Sequence, residues 1–557
     1  MSGDIRFRPE GALLRTYLTA AGIAPDSFKK PMIGVVTAST QMFSEKPDAR
    51  ELGNAVISGI EASGGIAVRW DTTRSPDLMA WGHAESFSFA WRDQLADFIE
   101  SWTRQQSLDG LALVGDAPET LAGMAMAAAR LNVPAILVTT GPNRWEFGSS
   151  NGADAQKKKI FSDPFMLITE TLFKDKKAKK KEDAEHQVDW FRECLLTKDN
   201  HAANSIDLVL EALGVCLPGM STAPSQSARR HELAFSSGER VIALVKGGQS
   251  FRRFLCANAF SNAIRLNAAL GGSVDVAVHL MALAHEAGMS LPLDLFDRIA
   301  RETPQICRLG GVGEKEAHRI EDLDRAGGVW AILNTFRDSV LPTTTINGKG
   351  ASELAKSTVV KDPQVIMSRR PYHKESGVGV LRGNLALNGA VFLLNQVVSE
   401  LAVAQGPVAL FENEIEAAEA LCAGRVKKGS LLVVRGQGPR GGPGLHKLRV
   451  LPALIQSRGW NKVFPLITDG RLPDTPAGLF VSLVSPESAM NGPMAVLRAG
   501  DWIDVDTKAR QLSVRLTETD LRVRMARWQS PEPKMKRGFL DRYSRSVSEV
   551  HEGAVLK

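Results

Sequence analysis

The chain has 557 residues, of which 44% are hydrophobic and 23% are charged. This length is too great for one ordinary hydrophobic core, so we expect a globular protein with at least two domains. Every apolar run is far shorter than the roughly 20 residues that cross a bilayer, which argues against membrane-spanning helices. The opening residues, MSGDIRFRPEGALLR, lack the basic and then apolar pattern of a signal peptide. We therefore predict a cytoplasmic protein that does not contact membranes.

The formal net charge of +6 has mainly local sources. Lys157 to Lys159 form one cluster, and the run FKDKKAKKKEDAEHQ over 173–187 forms another. No apolar stripe interrupts this second run, so it predicts a solvated helix or a flexible loop, with contact to an anionic partner as the alternative. No aromatic residues are interleaved among its lysines to stack on bases, so we do not expect nucleic-acid binding.

The five cysteines are widely scattered and form no CxxC pair; they are Cys194, Cys216, Cys256, Cys307 and Cys422. An odd number without a pattern argues against a disulfide framework and against a thiolate metal site. We expect free thiols that are either buried in the core or have no function.

Strands and helices alternate in the first part of the chain. Apolar, β-branched runs predict strands at 31–37, 64–70, 110–114 and 134–138, and helical patterns separate them at 50–63, 93–105 and 121–131. Continuous apolar strands with helices between them are typical of a doubly wound parallel sheet covered on both faces. The loops at the carboxyl ends of such strands form the binding site. Here those loops are 37–48, 71–83 and 115–120.

The pattern becomes mostly helical from residue 185 to about 338, and then changes again. Short apolar runs between Gly- and Pro-rich turns follow, and 501–506 with 511–516 predict a closing hairpin. We therefore predict an α/β protein: an N-terminal doubly wound domain with helical additions (1–365), a linker (366–377), and a smaller β-rich, barrel-like domain (378–557).

Several strings resemble the family of dihydroxy-acid and sugar-acid dehydratases, including phosphogluconate and aldonate dehydratases. They occur in the family's order, at 28–35, 124–142, 270–284, 381–386, 438–444, 467–471 and 484–487. The resemblance implies removal of water from a 2,3-dihydroxy or aldonic acid. It also implies a homodimer, an iron–sulfur cluster whose open iron polarises the departing hydroxyl, and a magnesium ion that holds the carboxylate and 2-hydroxyl. A serine alkoxide of the family removes the C2 proton.

The family's three cluster cysteines are not found at the matching positions. Those positions hold Asp48, Gly115 and Thr197, and Cys194 lies three residues before the last of them. One thiolate cannot hold an iron–sulfur cluster. We therefore expect no cluster.

The magnesium ligands that the resemblance implies are only partly kept. Asp77, Asp116 and the nearby His83 match the family, whereas its carbamylated lysine is Ala117 here and its glutamate is Gln437. Magnesium prefers anionic oxygen ligands, so any remaining Mg²⁺ site would bind weakly. Asp48 is a candidate replacement ligand. For Asp116 the alternative is a cap on the helix that begins near Pro118.

The family's serine base is also replaced, by Pro473, and the histidine expected before Val-Ser-Pro-Glu is Leu483. Asp474 and Thr475 are the candidate catalytic residues nearest to the lost serine. The glycine-rich string contributes Gly438, Arg440, Gly441 and Gly442 as candidates, with His83, for binding substrate or another anion through backbone N–H groups. A tight turn between strands explains the same string.

Three interpretations follow. The first is a diverged family member, without cluster chemistry and possessing the properties of a pseudoenzyme, that binds a small hydroxy or sugar acid or acts as a partner subunit. The second is an active hydro-lyase that converts a 2,3-dihydroxy or aldonic acid to a 2-oxo acid with a divalent cation and no cluster. Asp48, Asp77, Asp116 and Asp474 would carry that activity, because carboxylates crowded in one pocket raise each other's pKa. The third, nucleic-acid binding through the lysine run, has the least support.

Overall fold

The computed structural model describes residues 9–20, 22–39, 49–74, 85–141, 204–310, 317–474 and 477–557. Its N-terminal part contains a parallel sheet that, within these residues, has four strands in the order β2-β1-β3-β4. The strands are β1 (Met32–Ala38), β2 (Ile66–Thr72), β3 (Gly110–Gly115) and β4 (Ala135–Thr139).

Helices cover both faces of this sheet. The N-terminal part contains α1 (Ala12–Ala20), α2 (Ala49–Ala62), α3 (Glu85–Gln106), α4 (Pro118–Leu131), α5 (Asn204–Leu213) and α6 (Ala228–Lys246). Thr37 of β1 faces α2, because a Cβ added at Gly53 of α2 would meet its side chain. Ala38 faces α4, because a Cβ added at Gly115 of β3 would meet both Ala38 and Met124 of α4. Neighbouring β1 residues therefore face different helices, as alternation along a strand requires. The predicted doubly wound arrangement is confirmed.

A helical region follows and ends before the second domain. It contains α7 (Ala257–Ala269), α8 (Val274–Glu286), α9 (Leu293–Arg301), α10 (Ile320–Ala326), α11 (Gly328–Thr335) and α12 (Ala351–Ser357). Several of these helices are almost fully buried, α8 among them, and they extend the same hydrophobic core as the sheet. Among the described residues, no helix combines the length and the hydropathy that crossing a membrane requires.

The C-terminal domain is a closed barrel of eight strands in the order β10-β6-β5-β12-β11-β7-β8-β9, counted over the described part of the chain. The strands are β5 (Val378–Gly383), β6 (Ala386–Leu393), β7 (Val403–Phe411), β8 (Leu431–Val434), β9 (Leu466–Thr468), β10 (Phe480–Ser485), β11 (Trp502–Asp506) and β12 (Gln511–Val514). Its helices are α13 (Glu414–Cys422), α14 (Val450–Ser457), α15 (Glu518–Ala526) and α16 (Phe539–Ser546). β11 and β12 pair antiparallel, so the predicted β-rich, barrel-like domain and its closing hairpin are confirmed.

The end of the chain returns to the N-terminal core. Tyr543, Val550 and Val555 are buried within the hydrophobic cluster formed by the sheet and its helices. Arg92 of α3 is fully buried and donates to the carbonyls of Gly553 and Ala554 at 3.1 and 2.6 Å. The last residues are therefore part of the first core, although they follow the barrel in sequence. The proposed domain limits of 365, 366–377 and 378 stay a prediction.

Candidate functional site

The carboxyl ends of β1 to β4 meet at one edge of the sheet, called the carboxyl edge below. Asp116 directly follows β3 there, and Arg74 lies two residues after β2. Because β1 lies between these strands, Arg74 reaches across its end. Arg74 Nη1 donates to Asp116 Oδ2 at 2.6 Å, and the two side chains are 9% and 20% exposed. The paired charges place Arg74, which the sequence did not single out, in the candidate site.

Asp116 does not cap the following helix, so that alternative is wrong. The residue at the cap of α4 is Ala117, and no side-chain hydrogen bond caps this end. Ala117 has φ = 62° and ψ = 139°, and a non-glycine residue seldom adopts such a positive φ. The second oxygen of Asp116, Oδ1, is buried without a hydrogen-bond partner. An unpaired buried acceptor of this kind is uncommon in folded proteins, which makes Asp116 Oδ1 a candidate for contact with a ligand.

A second buried carboxyl, that of Asp207 on α5, lies close to Asp116. Burial, together with repulsion from Asp116, raises the pKa of Asp207 to about 7. The positive charge of Arg230 offsets part of this rise. Asp207 Oδ1 is, like Asp116 Oδ1, buried without a partner. The carboxyl edge therefore combines two acidic groups with two arginines, Arg74 and Arg230.

The raised pKa of Asp207 gives a testable pH dependence. Between about pH 4 and pH 7 the folded protein holds a proton on Asp207 that the unfolded chain has lost, so stability falls as pH rises through this range. We expect Asp207→Asn to flatten this slope and to stabilise the protein at pH 8 by on the order of 2–4 kcal/mol. Urea unfolding at pH 5 and pH 8 measures it. Asp294→Asn, at an exposed side chain, is the control, and parallel curves for wild type and Asp207→Asn would contradict the assignment.

A cluster of buried charges joins the two domains beside this edge. Arg471, which follows β9 and is 1% exposed, lies 3.4 Å from Glu85, 3.4 Å from Glu119 and 3.2 Å from Asp275. Each of these acidic residues stands in the first turn of a helix, α3, α4 or α8. Negative charge is favourable at helix N-termini, which suits these three residues to their positions. Through them, three helices of the first domain converge on one arginine of the second.

Two further basic residues complete this group, which we call the Arg471 cluster: Arg471, Lys447, Arg449, Glu85, Glu119 and Asp275. Lys447 Nζ lies 2.6 Å from Asp275, and Arg449 Nη2 lies 3.3 Å from Glu85. Burial alone would raise the pKa of Asp275. The charges of Lys447 and Arg471 outweigh burial and hold this pKa well below its usual range. The three cations thus compensate three carboxylates that are almost closed off from water. No role was assigned to any member from the sequence alone. Glu119 stands just before the helix predicted at 121–131, which was a usable signal, whereas Glu85 lies well ahead of the helix predicted from residue 93.

Asp474 lies next to the Arg471 cluster. Its Oδ1 accepts a hydrogen bond of 3.0 Å from the backbone N–H of Val274, the first residue of α8. Burial and repulsion from Asp275 raise the pKa of Asp474 to about 6. Its predicted role in catalysis stays a prediction, as does the loss of the serine at Pro473. Leu483, at the position of the family's histidine, is buried and has φ = 56°, an uncommon conformation for a bulky residue.

The glycine-rich string surrounds a carboxyl group of the protein itself. The backbone N–H groups of Arg440 and Gly441 donate to Glu487 at 2.9 and 3.0 Å. The N–H of Gly442 donates to the carbonyl of Gly438 at 2.7 Å. On its outer side the string borders a cavity of about 700 Å³ whose basic residues are Arg435, Arg440, Lys534 and Arg545. Binding of substrate or another anion by Gly438, Arg440, Gly441 and Gly442 stays a prediction.

The remaining sequence predictions fall partly outside the described residues. Asp48, Asp77, His83 and Thr475 lie there, together with Cys194, Thr197 and the lysine run over 173–187. Of the cysteines that are described, Cys216 and Cys307 are buried, Cys256 is half-buried and Cys422 is exposed. No group of three or more His, Cys, Asp or Glu side chains in the described ranges is arranged to hold a metal ion.

Comparison with known proteins identifies the family. The family described as dihydroxy-acid/6-phosphogluconate dehydratase matches with its N-terminal part over residues 30–354 and with its C-terminal part over 364–554. The chain belongs to the dihydroxy-acid/6-phosphogluconate dehydratase family. The resemblance read from the sequence strings is thereby confirmed.

Full-length relatives in this dehydratase family are named dihydroxy-acid dehydratase. The protein of Syntrophotalea carbinolica is 36% identical over 553 residues, which cover 98% of this chain and 97% of the relative. The protein of Thermodesulfovibrio yellowstonii is 34% identical over 550 residues, with the same shares of the two chains. That of Caldanaerobacter subterraneus is 34% identical over 553 residues, covering 98% of each.

The described residues do not fit the magnesium site that the dehydratase family implies. Asp116 is held by a guanidinium group, and Ala117, at the family's carbamylated lysine, offers only a methyl group. Gln437, at the family's glutamate, donates its amide N–H groups to the carbonyls of Glu412 and Arg435 at 2.7 and 2.9 Å. Among the described residues, a divalent cation at Asp116 would meet the competing positive charge of Arg74, which makes a poor site for a hard cation.

Proposed function

We propose that this chain is a diverged dehydratase-family protein that binds a small hydroxy or sugar acid at the carboxyl edge without cluster or magnesium chemistry. The observation that carries the proposal is the ion pair of 2.6 Å between Arg74 and Asp116, at the family's metal-ligand position. A cytoplasmic homodimer that acts as a binding or partner subunit is part of the same proposal. Its support is the family's full-length match and the homodimer that the resemblance implies.

The expected loss of dehydration follows from the groups that the reaction requires. Gly115 supplies no thiolate for a cluster, so no iron would polarise the departing hydroxyl at this position. Pro473 has no hydroxyl and cannot remove the C2 proton as a serine does. The residues that are present hold and neutralise a carboxylate ligand instead: Arg74 supplies positive charge and Asp116 Oδ1 supplies a hydrogen-bond acceptor.

Purification without oxygen tests this proposal. We expect a colourless protein with iron and labile sulfide far below one equivalent, which forms no 2-oxo acid from gluconate or glycerate with or without Mg²⁺ or Mn²⁺. The Syntrophotalea carbinolica relative, named dihydroxy-acid dehydratase, is purified and assayed alongside as the positive control for 2-oxo-acid formation. Brown protein with stoichiometric sulfide would overturn the proposal.

The second candidate is a hydro-lyase that uses a divalent cation and no cluster. The observation in its favour is Asp474, whose pKa is raised to about 6 and which lies one residue from the position of the family's serine. A carboxyl group with that pKa is suited to proton transfer near neutral pH. Colourless protein that forms 2-oxo acid when Mg²⁺ or Mn²⁺ is added would favour this candidate.

A further inference from the structure

A pocket of about 270 Å³ lies beside the junction of α10 and α11, and none of its lining residues belongs to the candidate functional site. We call it the α11 pocket, and its binding groups come from Trp330, Gly327, Gly328, Arg229, Asp324 and Lys361. We propose that the α11 pocket binds a small monovalent carboxylate, whose oxygens accept hydrogen bonds from the indole N–H of Trp330 and from the first backbone N–H groups of α11. This inference does not depend on the proposed function.

The indole N–H of Trp330 is the observation that points to a ligand. Trp330 is the third residue of α11 and lines the pocket, yet it is only 3% exposed. Among the residues that the structure describes, none accepts a hydrogen bond from this indole N–H. A buried donor that lacks an acceptor is costly, and buried tryptophan N–H groups usually have a partner. An oxygen atom of a ligand in the pocket would supply the missing acceptor.

The start of α11 presents further donors to the same pocket. Gly327 occupies the cap position and Gly328 is the first residue of the helix, with φ values of 114° and 70° that favour glycine. Within the described ranges no side chain caps this end, and the first N–H groups of a helix have no acceptor inside it. Two residues without side chains let a ligand approach these groups closely. The helix dipole favours negative charge there, so the donors together select an anion.

The charges around the pocket indicate a ligand with a single negative charge. Asp324 is already compensated, because it accepts a hydrogen bond of 2.7 Å from Thr222 and pairs with Arg229 at 2.8 Å. Burial raises the pKa of Glu211, which also lines the pocket, and this favours its uncharged form. The ammonium group of Lys361, an exposed residue, forms no ion pair with the described residues. One positive charge therefore remains for the ligand.

The size of the pocket narrows the ligand class further. A volume of about 270 Å³ is at the lower end for small-molecule sites, so it suits an acid of a few carbon atoms. A phosphate dianion would bring a second negative charge close to Asp324 without a second free cation to offset it. A monovalent carboxylate avoids this repulsion and still offers two oxygens to the donors.

Nitrogen-15 NMR of protein labelled at tryptophan tests the assignment at the atom concerned. The chain has 10 tryptophans, and Trp330→Phe identifies the Trp330 indole resonance by its loss. We expect acetate to shift this resonance in a saturable way. Acetamide, which has nearly the same shape but no charge, should bind at least about tenfold more weakly. Inorganic phosphate at pH 8, where it is mainly a dianion, should also bind more weakly than acetate.

Two variants test the donors by saturation-transfer difference NMR with acetate. Trp330→Phe should weaken binding by about 10- to 100-fold, because a hydrogen bond to a charged group is lost. Lys361→Gln should weaken it by about two- to fivefold, as is usual for an exposed charge, and its exposed position makes misfolding no concern. Lys356→Gln, at an exposed lysine of α12 outside the pocket, and Trp502→Phe in β11 are the matched controls. Circular dichroism and thermal unfolding check that each variant is folded.

The outcomes are separate from those of the proposed function. An acetate titration that leaves the Trp330 resonance unmoved, or an equal response to acetate and acetamide, overturns the inference even if gluconate binds at the carboxyl edge. Phosphate that binds as tightly as acetate overturns the monovalent class. The inference is also wrong if Lys356→Gln weakens acetate binding as much as Lys361→Gln does. Loss of gluconate binding has no bearing on the α11 pocket.

Discussion

Replacing Arg471 by methionine is expected to lower the free energy of unfolding by roughly 3–5 kcal/mol, the usual cost of removing one partner of a buried ion pair. The methionine keeps the apolar contact with Phe89, over whose ring the guanidinium lies at 4.6 Å. It leaves Glu85, Glu119 and Asp275 near one another with less compensating charge. Urea unfolding at pH 7 measures the loss.

The control for this prediction is Arg515→Met. Arg515 forms an ion pair of 2.7 Å with Asp504, but the two side chains are 52% and 39% exposed, so its loss should leave the free energy of unfolding almost unchanged. Equal effects of the two variants would show that the Arg471 cluster contributes no more than a surface pair. We also expect the loss in Arg471→Met to shrink at pH 5, because uncompensated carboxyl groups then become protonated.

Gly444→Ala is expected to destabilise the protein by about 2–4 kcal/mol, through overpacking and a strained backbone together. Gly444 has φ = 89°, and a Cβ there would lie 2.0 Å from the carbonyl oxygen of Ser86 in α3. The backbone of the glycine-rich string thus touches the first domain at a point that admits no side chain. A fall in the midpoint of urea unfolding measures the effect.

Gly429→Ala separates the two causes. Gly429 has nearly the same conformation, φ = 87°, with nothing within 4 Å of the added Cβ. This variant should therefore cost only the conformational part, about 1 kcal/mol. If the two variants are equally stable, close contact between the domains at Gly444 does not contribute.

The fold was largely predictable because its strands are continuous apolar runs and its helices are mostly periodic. The start of α3 was not. The sequence predicted a helix from Asp93, whereas α3 begins at Glu85, because Ser86, Phe89 and Arg92 are all buried and no polar face marks the first turns. Burial of polar side chains depends on partners from distant parts of the chain, and periodicity does not reveal such partners.

The candidate site was predictable only where the sequence around a single residue was enough to identify it. Asp116 was found because it ends a strand before a helix, and that position is general to parallel sheets. Arg74 and Arg471 were missed because each is recognised only by its ion pair with a carboxylate that is distant in sequence. Arg471 belongs to the family string over 467–471, yet its contacts with Glu85 and Asp275 exist only once the barrel packs on the helices.

The return of the last residues to the N-terminal core constrains how the protein is made. Val555 lies in that core, and the N–H of Leu556 donates to Asp93 of α3 at 3.2 Å. During synthesis the N-terminal part emerges first, yet it cannot complete its packing until residues 543–556 have been made and have left the ribosome. Until those residues are made, the buried pair of Arg92 and Asp93 lacks the backbone carbonyl groups to which Arg92 donates. A nascent chain stalled between residues 514 and 543 therefore holds an unfinished first domain beside a barrel whose strands are already synthesised.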